Sequence, residues 1–222
     1  MFKGDVDEAA PIVNATLAAL LTWAPTRGRE GADLRAAIND VRANVLELLH
    51  NDAIGPPLAE CFQLAQTTGV SMEQIESVRT TAAAKIPITV GAIMVRDSLI
   101  QLCLVTQARI LAAMEFGSRE DVDRIRAMLN ASFQSIEEVL TDRMDSMTYR
   151  AVIELHAAVS FFLVETARPL PRMLNFRFNL PLPTLAIAQK LYHDAGRADE
   201  LRVENKVVHP AFCRRSGRAL SN

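Results

Sequence analysis

The four histidines and three cysteines of this 222-residue chain are the side chains best suited to nucleophilic or metal chemistry. Such chemistry needs a nucleophile beside a base, or several metal ligands brought to one place. Glu154 and His156 stand two positions apart in a helical stretch, so they point to different faces of the helix. Cys61, Cys103 and Cys213 are widely spaced and form no CxxC pair. We therefore predict no catalytic residue, no metal site and no cofactor.

Sequence motifs with a defined catalytic mechanism are also absent. There is no HExxH zinc motif, no GxSxG nucleophile turn, no GxGxxG dinucleotide motif and no phosphate-binding P-loop. A small-molecule substrate is not indicated, and we predict that the chain is not an enzyme. The odd number of isolated cysteines indicates buried free thiols in a reducing compartment rather than a disulfide framework.

The charge that would attract a partner is concentrated in the C-terminal quarter. From residue 168 onward there are ten Lys and Arg against four Asp and Glu, a net +6, whereas residues 1–167 carry 14 against 22, a net −8. DNA phosphates or an acidic protein surface would both attract such a segment. Because the arginines are dispersed among acidic residues, a solvated face or an acidic protein partner is favoured over DNA. The candidate residues for contact with a partner or with DNA are Phe176, Arg177, Phe178, Arg197, Arg202, Arg214, Arg215 and Arg218.

Hydrophobic periodicity predicts that helices fill the first 167 residues. Apolar residues recur at steps of three and four, and only nine glycines interrupt the whole chain. The most apolar stretch, Ile86 to Leu111, contains Arg96, Asp97 and Arg109, which indicates a bundle helix rather than a membrane span. The seven predicted helices cover about residues 7–23, 32–50, 57–68, 71–85, 89–115, 118–140 and 146–167. Ser71, with Gln74 three residues later, predicts a capping box at the start of the fourth of these helices.

The period changes after residue 168. Every second residue from Leu174 to Leu180 is apolar, which is the pattern of a strand with one buried face. A lone strand leaves its backbone groups unpaired, so its partner is either the tail at Arg218–Ser221 or a strand of another chain. We expect Val207, Val208 and Phe212 to cover the small core that this strand forms with two short helices.

These patterns together predict a mainly α fold in two domains. Residues 1–167 form an all-α, multi-helix bundle, and residues 168–222 form a small α+β module with the order strand, helix, helix, strand. This order is similar to that of a LysM module, which would make the C-terminal end LysM-like. Peptidoglycan binding is one function of such modules, but the predicted loops offer few polar and aromatic side chains beyond Tyr192 and His193.

The segment from Leu180 to Leu220 is the most specific part of the chain, and reads LPLPTLAIAQKLYHDAGRADELRVENKVVHPAFCRRSGRAL. It resembles the C-terminal region of the DNA circularisation (circulation) proteins of Mu-type phages and prophages. In that family a leucine-rich helix ends in Tyr-x-Asp-Ala, and Arg-Ala-Asp-Glu-Leu, an Asn and His-Pro-x-Phe follow. Cys213–Ser216 departs from the hydrophobic, glycine-bearing approach to the final strand in that family. The matching residues here are Tyr192, Asp194, Ala195, Arg197, Ala198, Asp199, Glu200, Leu201, Asn205, His209, Pro210 and Phe212.

This resemblance implies a non-enzymatic structural protein of a contractile phage or prophage tail, located at the distal tail or baseplate hub of the virion. It would be made in the bacterial host cytoplasm. The implied partners are other tail and baseplate proteins and further copies of the chain in a homo-oligomer, without a membrane or a small-molecule substrate. The family name implies an alternative, in which the protein binds DNA ends non-covalently and circularises or protects incoming phage DNA. The family also has a mostly β N-terminal domain, so we expect this chain to be a C-terminal fragment.

Overall fold

The computed structural model describes residues 1–142 and 146–221 of the chain. Within these ranges the chain is mainly helical, with one small antiparallel sheet near the C-terminus, which confirms the predicted fold class. The helices are α1 (Lys3–Trp23), α2 (Arg29–Ala43), α3 (Val45–His50), α4 (Gly55–Thr67), α5 (Met72–Ala83), α6 (Val90–Ala112), α7 (Arg119–Asp142), α8 (Ser146–Ala167), α9 (Thr184–Tyr192) and α10 (Ala198–Glu204). The strands are β1 (Met173–Arg177) and β2 (Ser216–Leu220), and a 3-10 turn spans Ala195–Arg197.

The chain folds as two compact units. The first comprises Met1–Met114 and Ser132–Tyr149, and the second comprises Glu115–Ala131 and Arg150–Asn222. Helices α7 and α8 therefore contribute residues to both units. The domain boundary predicted between residues 167 and 168 stays a prediction.

Helix α1 is central to the first unit, where it contacts α2, α3, α5 and α6. Val13, Leu17 and Leu20 are fully buried and follow one another at helical steps of four and three, so they form one apolar stripe. Burying such a stripe against neighbouring helices is the main source of stability for a helix in a protein. The first unit is thus held together by the periodicity that the sequence displays.

The helix predicted over residues 32–50 is wrong in one respect, because the structure divides it into α2 and α3 at Asn44. The Asn44 backbone leaves helical geometry, with φ −106° and ψ 12°. Its side-chain Nδ2 donates to the Asp40 carbonyl at 3.0 Å and to Asp40 Oδ1 at 3.2 Å. Asparagine side chains compete with the backbone for hydrogen bonds in this way, and an apolar stripe alone does not reveal it.

Helix α5 begins where the sequence predicted a capping box. The Gln74 backbone N–H donates to Ser71 Oγ at 3.3 Å, and the Ser71 N–H donates to Gln74 Oε1 at 2.8 Å. These reciprocal bonds satisfy two of the backbone donors that every helix N-terminus leaves open. The start of α5 is therefore fixed by local sequence.

Two helices of the described residues are long and apolar enough to cross a membrane by length and composition alone. They are Val90–Ala112, whose most apolar window is 50% buried, and Met147–Ala167, whose window is 17% buried. Core helices of soluble proteins pass the same test. Helix α6 packs against α1, α4 and α5, as the predicted bundle helix should.

The predicted strand in the second unit is shorter than the alternation of Leu174 to Leu180 indicated, and its partner lies in the same chain. Strands β1 and β2 pair antiparallel, with Phe176 opposite Gly217 and Arg177 opposite Ser216. Of the two partners left open by the sequence, the tail is the one that the structure shows. The described sheet consists of these two strands alone.

Candidate functional site

A small hydrophobic core organises the C-terminal module, by which we mean the described residues 168–221. Strand β1, both short helices and the tail contribute to this core. Phe176 is only 7% exposed and Phe178 packs against the core from its edge, so both candidate aromatic residues are packing residues. The buried members are Phe176, Ile187, Ala188, Tyr192, Ala198, Leu201, Cys213 and Ala219.

The side chain of Asn205 forms hydrogen bonds with the backbone of β2. Its Nδ2 donates to the Arg218 carbonyl at 2.8 Å, and its Oδ1 accepts the Arg218 N–H at 2.8 Å. The same Nδ2 also donates to the Leu201 carbonyl at 2.9 Å, which ties the end of α10 to β2. An added Cβ at Gly217 would meet Asn205 Oδ1 and would lie 2.7 Å from Phe176 Cζ, so only glycine fits between these side chains.

Arg197 belongs to a closed cluster with Tyr192 and Glu200. Its Nε and terminal nitrogen lie 3.0 and 2.9 Å from the two Glu200 carboxylate oxygens, and its guanidinium carbon lies 3.8 Å from the centroid of the Tyr192 ring. The Tyr192 hydroxyl donates to Glu200 Oε1 at 3.2 Å. Burial, followed by the nearby Glu200 carboxylate, raises the pKa of Tyr192. The arrangement orients α10 on α9 and leaves the charge of Arg197 paired.

The remaining candidate arginines divide into two groups. Arg202 Nε lies 3.1 Å from Asp199 Oδ1, and a terminal nitrogen of Arg218 lies 2.6 Å from Glu204 Oε1. Arg177, Arg214 and Arg215 are exposed, and within residues 1–142 and 146–221 no carboxylate pairs with any of them. These three are therefore the candidate arginines whose charge is available to a partner.

The expectation that Val207, Val208 and Phe212 cover the small core holds for one residue only. Val207 packs against the core, but Val208 is 98% exposed and Phe212 is 76% exposed. The reason is the turn around Pro210, whose carbonyl accepts the Thr184 N–H at 2.8 Å. This bond holds the 207–212 loop beside the start of α9 and leaves two large apolar side chains in solvent.

Two neighbouring segments of the module expose apolar side chains: the 207–212 loop, and the residues that lead into the first turn of α9. The loop before α9 carries Leu180 and the first turn of α9 carries Leu185, which are 66% and 59% exposed. We call these two residues, together with Val208 and Phe212, the apolar loop patch. The loops are joined by hydrogen bonds, since the Cys213 N–H donates to the Leu182 carbonyl at 3.2 Å in addition to the Thr184 bond. Exposed apolar groups held on a well-packed support are typical of protein interaction surfaces.

The first unit contains a polar network around Glu76 that was not predicted from the sequence. Glu76 Oε2 accepts from Arg79 Nε at 2.9 Å, Gln107 Nε2 at 3.0 Å and Ser132 Oγ at 3.2 Å. Burial raises the pKa of Glu76, but the hydrogen bonds from Arg79, Gln107 and Ser132 outweigh it and the net pKa is lowered. The i,i+3 spacing of Glu76 and Arg79 was visible, but the distant partners come from α6 and α7. The network links α5, α6 and α7.

The three thiols and His156 lie in packed or hydrogen-bonded surroundings. All three cysteines are buried and free, and burial raises the pKa of Cys61 to about 12. His156 Nε2 lies 3.0 Å from Asn130 Oδ1, so His156 is hydrogen-bonded within the fold. Among residues 1–142 and 146–221, no three His, Cys, Asp or Glu side chains are grouped closely enough to hold a metal ion.

No family model matches the chain, and no curated protein matches it significantly.

Proposed function

We propose that the protein is a non-enzymatic structural component of a contractile phage or prophage tail, which assembles into the distal tail or baseplate hub through its C-terminal module. The observation that carries the proposal is the apolar loop patch, with Val208 and Phe212 held in solvent by a folded support. The resemblance of Leu180–Leu220 to Mu-type circularisation proteins supplies the biological setting. Three exposed arginines on the same module suit an acidic partner surface.

Other copies of the chain are among the proposed partners. The C-terminal 55 residues carry +6 and the preceding residues carry −8, so head-to-tail contacts between copies would bring opposite charges together. Such association weakens as salt screens the charges. Sedimentation at low and high salt should therefore show a homo-oligomer whose stability falls with ionic strength, and a strict monomer at both would count against this part of the proposal.

The tail assignment is tested by asking whether purified virions contain the protein and whether the loop patch is needed for incorporation. Phage or induced prophage particles carrying the double variant Val208→Ser/Phe212→Ser are compared with wild type by quantitative mass spectrometry and by immunogold labelling. The matched control is Val203→Ser, because Val203 is 70% exposed on α10 of the same module but lies outside the patch. We expect incorporation to fall at least tenfold for the double variant and to be unchanged for the control.

Either of two results would refute this function. One is that the wild-type protein is absent from purified virions. The other is that the double variant is incorporated as well as wild type, while circular dichroism shows both to be folded.

A second candidate function, binding of incoming DNA ends, is favoured by the exposed Arg177, Arg214 and Arg215. Duplex binding through phosphates falls with salt, with a slope of about −0.9 in log K against log salt for each phosphate contact. Replacing Arg214 and Arg215 by alanine should reduce that slope by about 2, whereas Arg202→Ala, which removes a paired arginine, should reduce it less. The absence of any mobility shift of a linear duplex at low salt would exclude this candidate.

A further inference from the structure

The two edges of the small sheet differ in how their backbone groups are satisfied. The Phe178 N–H donates to the Arg215 carbonyl, and the Ser221 N–H donates to the Arg172 carbonyl, both at 2.7 Å. In an antiparallel pair, hydrogen-bonded residue pairs alternate with pairs whose backbone groups point away from each other. The register therefore directs the backbone groups of Arg218 away from β1, where Asn205 meets them, and directs those of Asn175 away from β2.

The two strands differ at the middle of their outer edges, since Asn205 pairs the outward groups of Arg218 on β2 and no described protein group pairs those of Asn175 on β1. By the same alternation, Met173, Asn175 and Arg177 direct their N–H and C=O groups outward from β1. Asn175 and Arg177 are exposed, and in the described ranges no protein group bonds to their outward backbone atoms. Unpaired strand edges of this kind are templates for an additional strand.

The structure contains an internal example of what this edge accepts. The outward N–H of Met173 donates to the carboxylate oxygen Oε2 of Glu120 at 2.8 Å. Both residues belong to the second unit. A carboxylate thus binds the first outward N–H of this edge, and no group among the described residues binds the next two.

The surroundings of the open positions specify the chemistry of an incoming strand. Arg177 stands on the solvent face of the sheet without a carboxylate partner in the described residues, so the side chains that flank it should be acidic. On the opposite face, Leu174 is 53% exposed beside a cavity of about 220 Å³ that Leu191 and Tyr192 also line. Successive side chains of a strand point to opposite faces, so the matching sequence alternates acidic and apolar residues.

We infer that the open edge of β1 binds an extended, acidic segment of a partner protein as a third strand, with acidic side chains near Arg177 and apolar side chains near Leu174. The inference deepens the proposed docking role and rests on it for the biological setting. The two remain separately testable, because incorporation into virions is assigned to the apolar loop patch and strand addition to the edge of β1.

The test uses the full chain, labelled with ¹⁵N, and an acetylated eight-residue probe peptide that alternates valine and glutamate. Two control peptides are matched in length: one has lysine in place of glutamate, and the other is N-methylated at every second amide so that it cannot pair along one edge. We expect the glutamate peptide alone to bind, and to slow hydrogen exchange of the Asn175 and Arg177 amides at least tenfold. Amides of β2 serve as the internal reference.

Two variants separate backbone pairing from charge. Asn175→Pro removes an outward N–H without removing a β1–β2 hydrogen bond, and it should abolish binding. Arg177→Glu should weaken binding at least tenfold, whereas Arg202→Glu, on α10, should leave it unchanged. Since a proline variant can fail to fold, the Arg177 comparison and the peptide controls decide the result independently.

Three results would overturn the inference. The first is no binding of the glutamate peptide at millimolar concentration, and the second is equal binding of the lysine or N-methylated peptide. The third is that duplex DNA, and not the peptide, perturbs the Arg177 amide, which would assign this edge to nucleic acid instead.

Discussion

Asn205 and Arg218 are joined by two hydrogen bonds that run in opposite directions, from Asn205 Nδ2 to the Arg218 carbonyl and from the Arg218 N–H to Asn205 Oδ1, each 2.8 Å long. A side-chain amide carries one donor group and one acceptor, so asparagine mimics the edge of a neighbouring strand. This one side chain pairs the outward backbone groups of Arg218 and ties the end of α10 to β2. The geometry gives a physical reason for an asparagine at position 205.

Replacing Asn205 by alanine should loosen the C-terminal module. The change leaves the outward backbone groups of Arg218 without their protein partners, and we expect a loss of about 2 kcal/mol in the free energy of unfolding. Hydrogen exchange of the Arg218 amide should accelerate at the same time. Asn179→Ala is the matched control, since Asn179 is exposed. Equal unfolding curves for the two variants in urea would contradict the assigned role.

Gly217→Ala should destabilise the same module by a steric route. The new methyl group would lie 2.7 Å from Phe176 Cζ and would meet Asn205 Oδ1, so the ring or the clamp must move. Overpacking of this kind costs about 1–3 kcal/mol. Gly117→Ala provides the control, because nothing lies within 4 Å of its added Cβ. Differential scanning calorimetry should show a lower melting temperature for the Gly217 variant alone.

The sequence predicted those parts of the fold that depend on local order. The capping box at Ser71 and the alternation after Leu174 each specify structure through neighbours a few residues away, and both elements form in the structure. The break at Asn44 was missed because its apolar stripe continues across it and only a side-chain bond to Asp40 reveals it. Local sequence patterns therefore located the helices and the strand, but they did not reveal the helix break at Asn44.

The candidate residues show where the sequence stops being informative. Charge alone grouped Arg197 with Arg214, yet the structure pairs Arg197 with Glu200 and leaves Arg214 exposed. Likewise Val208 was expected in the core because of its apolar type, and the bond between Thr184 and Pro210 holds its loop in solvent. Contacts between distant segments decide which charges are paired and which apolar residues are exposed. Composition does not reveal those contacts.

The two phenylalanines of the module should respond in opposite ways to truncation. Phe176 is 7% exposed at the centre of the core, so Phe176→Ala should cost about 3–5 kcal/mol. Phe212 is 76% exposed, so Phe212→Ala should change the free energy of unfolding by less than about 0.5 kcal/mol. Urea denaturation measures both values. A destabilised Phe212 variant would show that the loop packs in solution and that the apolar loop patch does not exist as described.

Glu76 should make part of the stability of the first unit dependent on pH. Hydrogen bonds from Arg79, Gln107 and Ser132 outweigh the effect of burial and lower its pKa from the ordinary value of 4.5. A carboxyl group whose pKa is lower in the folded state stabilises the fold above its unfolded pKa, and this contribution is lost as pH falls through the folded value. The contribution of Glu76 should therefore be complete above about pH 5 and should decline through the range below pH 4.5.

The variant Glu76→Gln tests this dependence, since it keeps the size of the side chain but removes the titrating charge beside Arg79. Loss of one partner from a partly buried ion pair should cost on the order of 2–3 kcal/mol at pH 7. The difference in free energy of unfolding between wild type and variant should shrink as the pH is lowered from 6 to 3, because the wild-type carboxylate becomes neutral as well. Glu73→Gln, an exposed position on the same helix, controls for the general effect of removing one negative charge. A difference that stays constant over this pH range would show that the stabilisation comes from packing rather than from the charge of Glu76.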